Sequence, residues 1–223
     1  MKSVCGDYPA VISFDLGHIE LGDTMSLDKV PFTKIRKEIL NQYKRGGMSS
    51  LSWHLRNPLT GGDSWDVSDT TVVKSILPGG ANHEKFTGWV SKVSAFINSL
   101  QTEEGVKVPV LFRPWHEHTG SWFWWGEKLC TPEEYKALWH MTVDILRNDG
   151  VDNALYAYSP GSEPQDTAQY LKRYPGDELI DLIGFDTYQF ERDTYLANLE
   201  KSLAIVDSIG KAHNKVIAIT ETG

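Results

Sequence analysis

The sequence predicts an α/β fold of the (β/α) barrel type, on three observations. Six short apolar runs alternate with helix-patterned segments along 223 residues. The runs alternate poorly between polar and apolar positions, as parallel strands covered by helices on their faces do. Polar or aromatic residues close run after run, at His18, His54, Glu117, Ser159, Asp186 with Tyr188, and Glu221. In a barrel those ends converge on the face where active sites sit. An open doubly wound sheet shares this element order. No Gly-rich phosphate loop follows the first run, which weighs against the nucleotide-binding version of that sheet.

Taken in order, residues 10–15 are a buried strand ending in Asp15-Leu-Gly-His18. Asp28 precedes a segment with Phe32, Ile35, Ile39, Leu40 and Tyr43 at helical spacing, and Gly46-Gly47 stop it. Residues 48–55 form the second strand, with Ser50, Ser52 and His54 on one face by parity. Residues 57–82 are rich in Gly, Pro, Asp and Ser and read as a long loop, a length uncommon unless functional. Phe86, Trp89, Val90, Val93, Phe96, Ile97 and Leu100 then mark an amphipathic helix.

Residues 108–117 are the third strand. Thr131-Pro-Glu-Glu134 opens the next helix with a capping box and Pro at its first position. That helix turns Tyr135, Leu138, Trp139, Thr142, Ile145 and Leu146 inward. Strands follow at 154–158 and 180–188, then a helix carrying Tyr195, Leu196, Leu199, Leu203 and Val206, then a strand at 216–220. The length suits one domain over residues 1–223.

Composition narrows the partners. A net charge of -8 argues against a nucleic-acid backbone and is compatible with a neutral polymer such as a polysaccharide. Cys5 and Cys130 lack metal-ligand spacing and read as free thiols. The histidines are too scattered for a metal motif, so no metal or cofactor is expected. No apolar run is long enough to span a bilayer, and no signal-peptide h-region follows Met1.

The chemistry centres on residues 110–126, where Arg113, Trp115, His116 and Glu117 lead into Trp122, Phe123, Trp124 and Trp125. An acid beside histidines and clustered aromatic rings suits a sugar-cleaving site. Cleaving a glycosidic bond takes two carboxyl groups, and Glu221 is the second at a strand end. Partial desolvation would keep Glu117 protonated, while Arg113 and Tyr188 are candidate partners for an ionised Glu221. Parity puts Arg113, Trp115 and Glu117 on one strand face and His116 on the other, unless the strand bends into loop there. Arg113 lies about 13 Å below Glu117 at roughly 3.3 Å per residue, so it suits a neighbouring strand's carboxylate better than Glu117. Trp124 and Trp125 read equally as a sugar platform or as cover for the barrel mouth. His18 is divided between site and packing, and Asp186 leans to the site. Trp89 and Trp139 read as core; His83, His140 and His213 read as surface or satisfied-core residues.

Arg113-Pro-Trp-His-Glu117 with Trp122-Phe-Trp-Trp125 resembles the acid/base segment of glycoside hydrolase family 26, the β-mannanase family. Asp15-Leu-Gly-His-Ile-Glu20, Ser52-Trp-His54, Asn57-Pro-Leu-Thr-Gly-Gly62, Gly184-Phe-Asp-Thr-Tyr188 and Ile219-Thr-Glu-Thr-Gly223 match further family segments in order. The resemblance implies a (β/α)8 TIM barrel and retaining, endo-acting cleavage of β-1,4-mannosidic bonds. It makes Glu117 the general acid/base and Glu221 the nucleophile. His54, Arg113, His116 and Tyr188 would line the cleavage subsite, and Trp122 would contact sugar beside the scissile bond. The strands present would correspond to the second through seventh of the eight, an incomplete barrel whose exposed edges leave self-association open. The family is generally secreted or cell-surface. A β-1,3-1,4-glucanase, a mannobiose-releasing exo-enzyme and an inactive glycan-binding remnant are the alternatives.

Overall fold

The computed structural model describes residues 2–189 and 192–223. Six strands, β1 (Val11–Asp15), β2 (Met48–Ser52), β3 (Val110–Arg113), β4 (Ala154–Tyr158), β5 (Leu182–Thr187) and β6 (Val216–Thr222), pair in that order. Every pairing is parallel. The sheet curls as most of a (β/α)8 barrel, and consecutive neighbours with helical crossovers are what that fold requires. A bulge between Phe185 and Asp186 shifts the β5–β6 register where Asp186 meets Glu221.

The helices are α1 (Lys2–Cys5), α2 (Phe32–Lys44), α3 (Val72–Ile76), α4 (His83–Asn98), α5 (Pro132–Asn148), α6 (Thr167–Leu171) and α7 (Arg192–His213). Helix α5 starts where the sequence predicts. Glu134 N donates to Thr131 Oγ1 at 3.1 Å, and Thr131 N donates to Glu134 Oε2 at 2.9 Å. The inward faces of α4 and α5 bury Phe86, Trp89, Val93, Tyr135, Leu138 and Trp139 against the sheet. Cys5 and Cys130 form no disulfide.

Three expectations need correction. The third strand does not reach Glu117: it stops at Arg113, because Pro114 has no N–H for a ladder bond. The loop over 57–82 is interrupted by α3, whose Val72, Val73 and Ile76 are buried. The second strand ends at Ser52 rather than at residue 55. Among the described residues β1 pairs only with β2 and β6 only with β5, and Val11, Val216, Ile217 and Ile219 are exposed along those edges. No helix of the described residues is long and apolar enough to cross a membrane.

The core and cap readings separate by magnitude. Trp139→Ala removes a fully buried indole and should lower unfolding free energy by about 3–5 kcal/mol. Thr131→Ala removes one cap and should cost about 1 kcal/mol. Urea midpoints of the two variants check this; equal shifts would contradict it.

Candidate active site

Arg113, the last residue of β3, holds four strands together at their C-terminal ends. Its Nη1 donates to Asp186 Oδ2 at 2.6 Å and to Ser159 Oγ at 3.0 Å, and its Nη2 donates to Glu221 Oε2. Tyr188 donates its hydroxyl to the other oxygen of Glu221. Thr220 Oγ1 donates to Asp186 Oδ1 at 2.7 Å. Both oxygens of Glu221 are thereby taken by donors, one of them a cation. Arg113 is almost fully buried, and burial opposes its charge, but Asp186 and Glu221 outweigh that and raise its proton affinity. Burial pushes the Asp186 carboxyl up to about 7 against the pull of Arg113 and Thr220.

Glu117 is placed by a turn rather than by a strand. Trp115 and Glu117 have φ of 55° and 53°, a left-handed conformation uncommon for side chains of this bulk. Two such residues cost of order 1–3 kcal/mol each and persist only where surrounding bonds dictate them. Those bonds are present. The carbonyl of Trp115 accepts from Tyr135 Oη at 2.7 Å, that of His116 from Trp125 Nε1 at 2.9 Å, and that of His118 from Arg173 Nη1 at 2.8 Å. Glu117 N donates to the Ser159 carbonyl at 2.8 Å. The turn breaks the expected parity: Trp115 enters the aromatic core with Trp53, Phe86, Trp124 and Trp125, and His116 turns to the site.

The two histidines meet in a chain that starts at β1. Asp15 Oδ2 lies 2.7 Å from His54 Nδ1, and His54 Nε2 lies 3.0 Å from His116 Nε2. Ser52 Oγ donates to Asp15 Oδ2 at 2.7 Å and Gly17 N to Oδ1 at 2.6 Å. A Cβ on Gly17 would lie 2.7 Å from both Asp15 Oδ1 and the His54 carbonyl, so only glycine admits this approach. Burial opposes the His54 cation, but the hydrogen bond and charge of Asp15, with the charge of Glu221, raise its proton affinity overall. Burial, then the charges of Arg113 and His54, push His116 well below the usual histidine range.

A cleft of about 580 Å³ opens beside Glu117, lined by Trp122, Glu163, Tyr188, Tyr195 and Asn198 among others. Burial raises the Glu117 carboxyl above the ordinary glutamate range; Trp122 Nε1, donating to its Oε2 at 2.8 Å, works against that, and the charge of Glu221 adds to it. A second opening carries Asp15, His54, Trp65 and Glu221. The site therefore presents one carboxyl of raised proton affinity and one carboxylate fixed by two donors, from two sides.

Of the predicted site residues, Glu117, Glu221, His54, Arg113, His116, Trp122, Tyr188 and Asp186 all come together here. His18 does not join them and sits 3.8 Å from Asp23. Trp124 and Trp125 are fully buried and cover the core, so the platform reading fails for both, whereas Trp122 is 40% exposed. Sequence reasoning missed Trp65, which is exposed and stacks on His54 with ring centroids 5.5 Å apart. A lone indole in a polar, glycine-rich loop was its only signal. It also missed Asp15, whose strand-end position resembled the others, and Glu163, whose Oε2 accepts from Thr119 Oγ1 at 2.6 Å. Among the described residues no group of three or more His, Cys, Asp and Glu is arranged to hold a metal ion.

Comparison with known proteins identifies the family. The family model for glycosyl hydrolase family 26 matches residues 1–222. A family 26 β-mannanase of Bacteroides ovatus superposes with a TM-score of 0.98 at 61% identity, over 100% of this chain and 64% of that one. A mannan endo-1,4-β-mannosidase of Bifidobacterium adolescentis is 35% identical over 98% of this chain and 23% of its own length. One from Bacillus subtilis is 28% identical over 100% of this chain and 60% of its own. The chain thus spans less than two thirds of the length of these relatives. It belongs to glycosyl hydrolase family 26.

Proposed function

We propose that the protein is a retaining endo-β-1,4-mannanase that hydrolyses internal β-1,4-mannosidic bonds of mannan and galactomannan by double displacement. The observation that carries this is the unlike treatment of two carboxyl groups that reach the same strand-end face from adjoining openings. Burial raises the proton affinity of Glu117, whereas Glu221 is gripped by Arg113 and Tyr188. In the first step Glu221 attacks the anomeric carbon while Glu117 gives its proton to the departing glycosidic oxygen. In the second, Glu117 takes a proton from water, which attacks the same carbon and releases Glu221. Arg113 holds the nucleophile in place, Asp186 balances Arg113, and Trp122 offers its indole to the sugar beside the scissile bond. His54 and His116 line the opposite wall. The relatives' names support the substrate class. A secreted or cell-surface location and self-association through the β1 and β6 edges belong to the same proposal.

Glu117→Gln should reduce turnover of mannan and galactomannan by roughly 100- to 10,000-fold, the range for loss of a positioned acid/base. Glu221→Gln should reduce it at least as far, because no covalent intermediate can form. Release of short mannooligosaccharides, with β-1,3-1,4-glucan run alongside, is the measurement. Undiminished activity in both variants would sink the assignment, and binding without any turnover by the unaltered chain would favour a glycan-binding role.

The pH dependence has a sign. Protonated Glu117 is the working form and its proton affinity is raised, so kcat/KM should fall as pH rises through a value above the ordinary glutamate range. The Trp122 hydrogen bond favours the carboxylate, so Trp122→Phe should move that alkaline limb to higher pH. A limb that stays put or moves down in the pH–rate profile would contradict this.

A further inference from the structure

We propose that Asp15 is a positioning residue of this site: it fixes the orientation and proton placement of the His54–His116 pair that faces Glu221. The inference rests on the hydrolase reading above for its kinetic consequences, and on hydrogen-bond geometry for its substance.

Proton bookkeeping supports it. A carboxylate only accepts, so the 2.7 Å contact from Asp15 Oδ2 puts a hydrogen on His54 Nδ1. The two Nε2 atoms, 3.0 Å apart, can share only one hydrogen. A neutral His54 would take that hydrogen from His116; a cationic His54 would give it. The surroundings favour the cation. His54 is flanked by Asp15 and Glu221, and the Trp65 indole lies nearly parallel to its ring, 12° apart, a face that attracts cations. His116 sits deeper, beside Arg113, where a second positive charge is disfavoured. Asp15 therefore anchors a charged imidazole that donates to a neutral one.

The anchor is itself fixed. Ser52 Oγ, Gly17 N and His54 N all donate to Asp15, which leaves its carboxylate little freedom to turn. The charged and titratable groups facing the pair are Asp15 from β1, Arg113 from β3, Glu117 and His118 from the turn after it, and Glu221 from β6. The charge of Glu221 favours the His54 cation, and that attraction acts on the side from which Glu221 attacks and departs. Neither step needs Asp15 to touch sugar.

The test is Asp15→Asn, which keeps shape and removes charge. Loss of an outer carboxylate behind a working histidine typically costs roughly 10- to 100-fold, and that loss is expected in kcat with KM changed much less. With Asp15 gone the His54 cation loses its partner, so the His54 ring titration followed by NMR should move to lower pH. A merely structural role would not move that titration. Wild-type kcat and an unmoved ring titration in Asp15→Asn would overturn the inference. If the variant fails to fold, the wild type decides: His54 Nδ1 protonated, with the ring charged at the pH of activity, supports the proposal, and a bare Nδ1 overturns it. If the wild type cleaves neither mannan nor glucan, the hydrolase reading fails while the ring titration still decides the anchor.

Discussion

A single buried cation ties the C-terminal ends of four strands together. Arg113 reaches from β3 to Ser159 after β4, Asp186 on β5 and Glu221 on β6, almost out of contact with water. A guanidinium placed there is tolerable only if carboxylates meet it, and removing either partner would strand charge in a poorly hydrated site. The arrangement also decides what Glu221 can do. With Arg113 on one oxygen and Tyr188 on the other, the carboxylate has a fixed direction. Folding and chemistry depend on the same contacts.

The opposite wall is built on strain rather than charge. The chain between Pro114 and His118 contains two left-handed residues without a glycine, and it is held by donors from α5, from the Trp-rich loop and from Arg173. That cost is met by bonds whose only shared outcome is the position of His116 and Glu117. Aromatic packing does the remaining work. Trp115, Trp124 and Trp125 pack on one another beneath the turn, and burial rather than a neighbouring charge is the largest influence on Glu117.

Much of this was legible in the chain itself. Apolar runs closed by polar residues gave six strands and the face on which they converge, and the spacing of Arg113 from Glu117 already pointed Arg113 toward a neighbouring carboxylate. What the sequence concealed was the turn. Pro114 signals that a strand stops, but nothing local announces positive φ at Trp115 and Glu117, because the bonds that impose it come from residues 9 to 55 positions away. For the same reason Trp124 and Trp125 could not be told from Trp122 by type; only packing separates a covered indole from one facing the cleft. Asp15 escaped because its role depends on His54, 39 residues on, and pairing across strands is not written in either segment alone.

The central claim is that Glu221 forms the covalent bond and Glu117 handles the proton. A 2-deoxy-2-fluoro mannoside with a good leaving group, followed by mass spectrometry of the digested protein, tests it most directly. The account predicts one sugar attached to the peptide that holds Glu221, and none in Glu221→Gln. Attachment to Glu117 instead, or turnover of mannan with inversion at the anomeric carbon and no adduct, would contradict it.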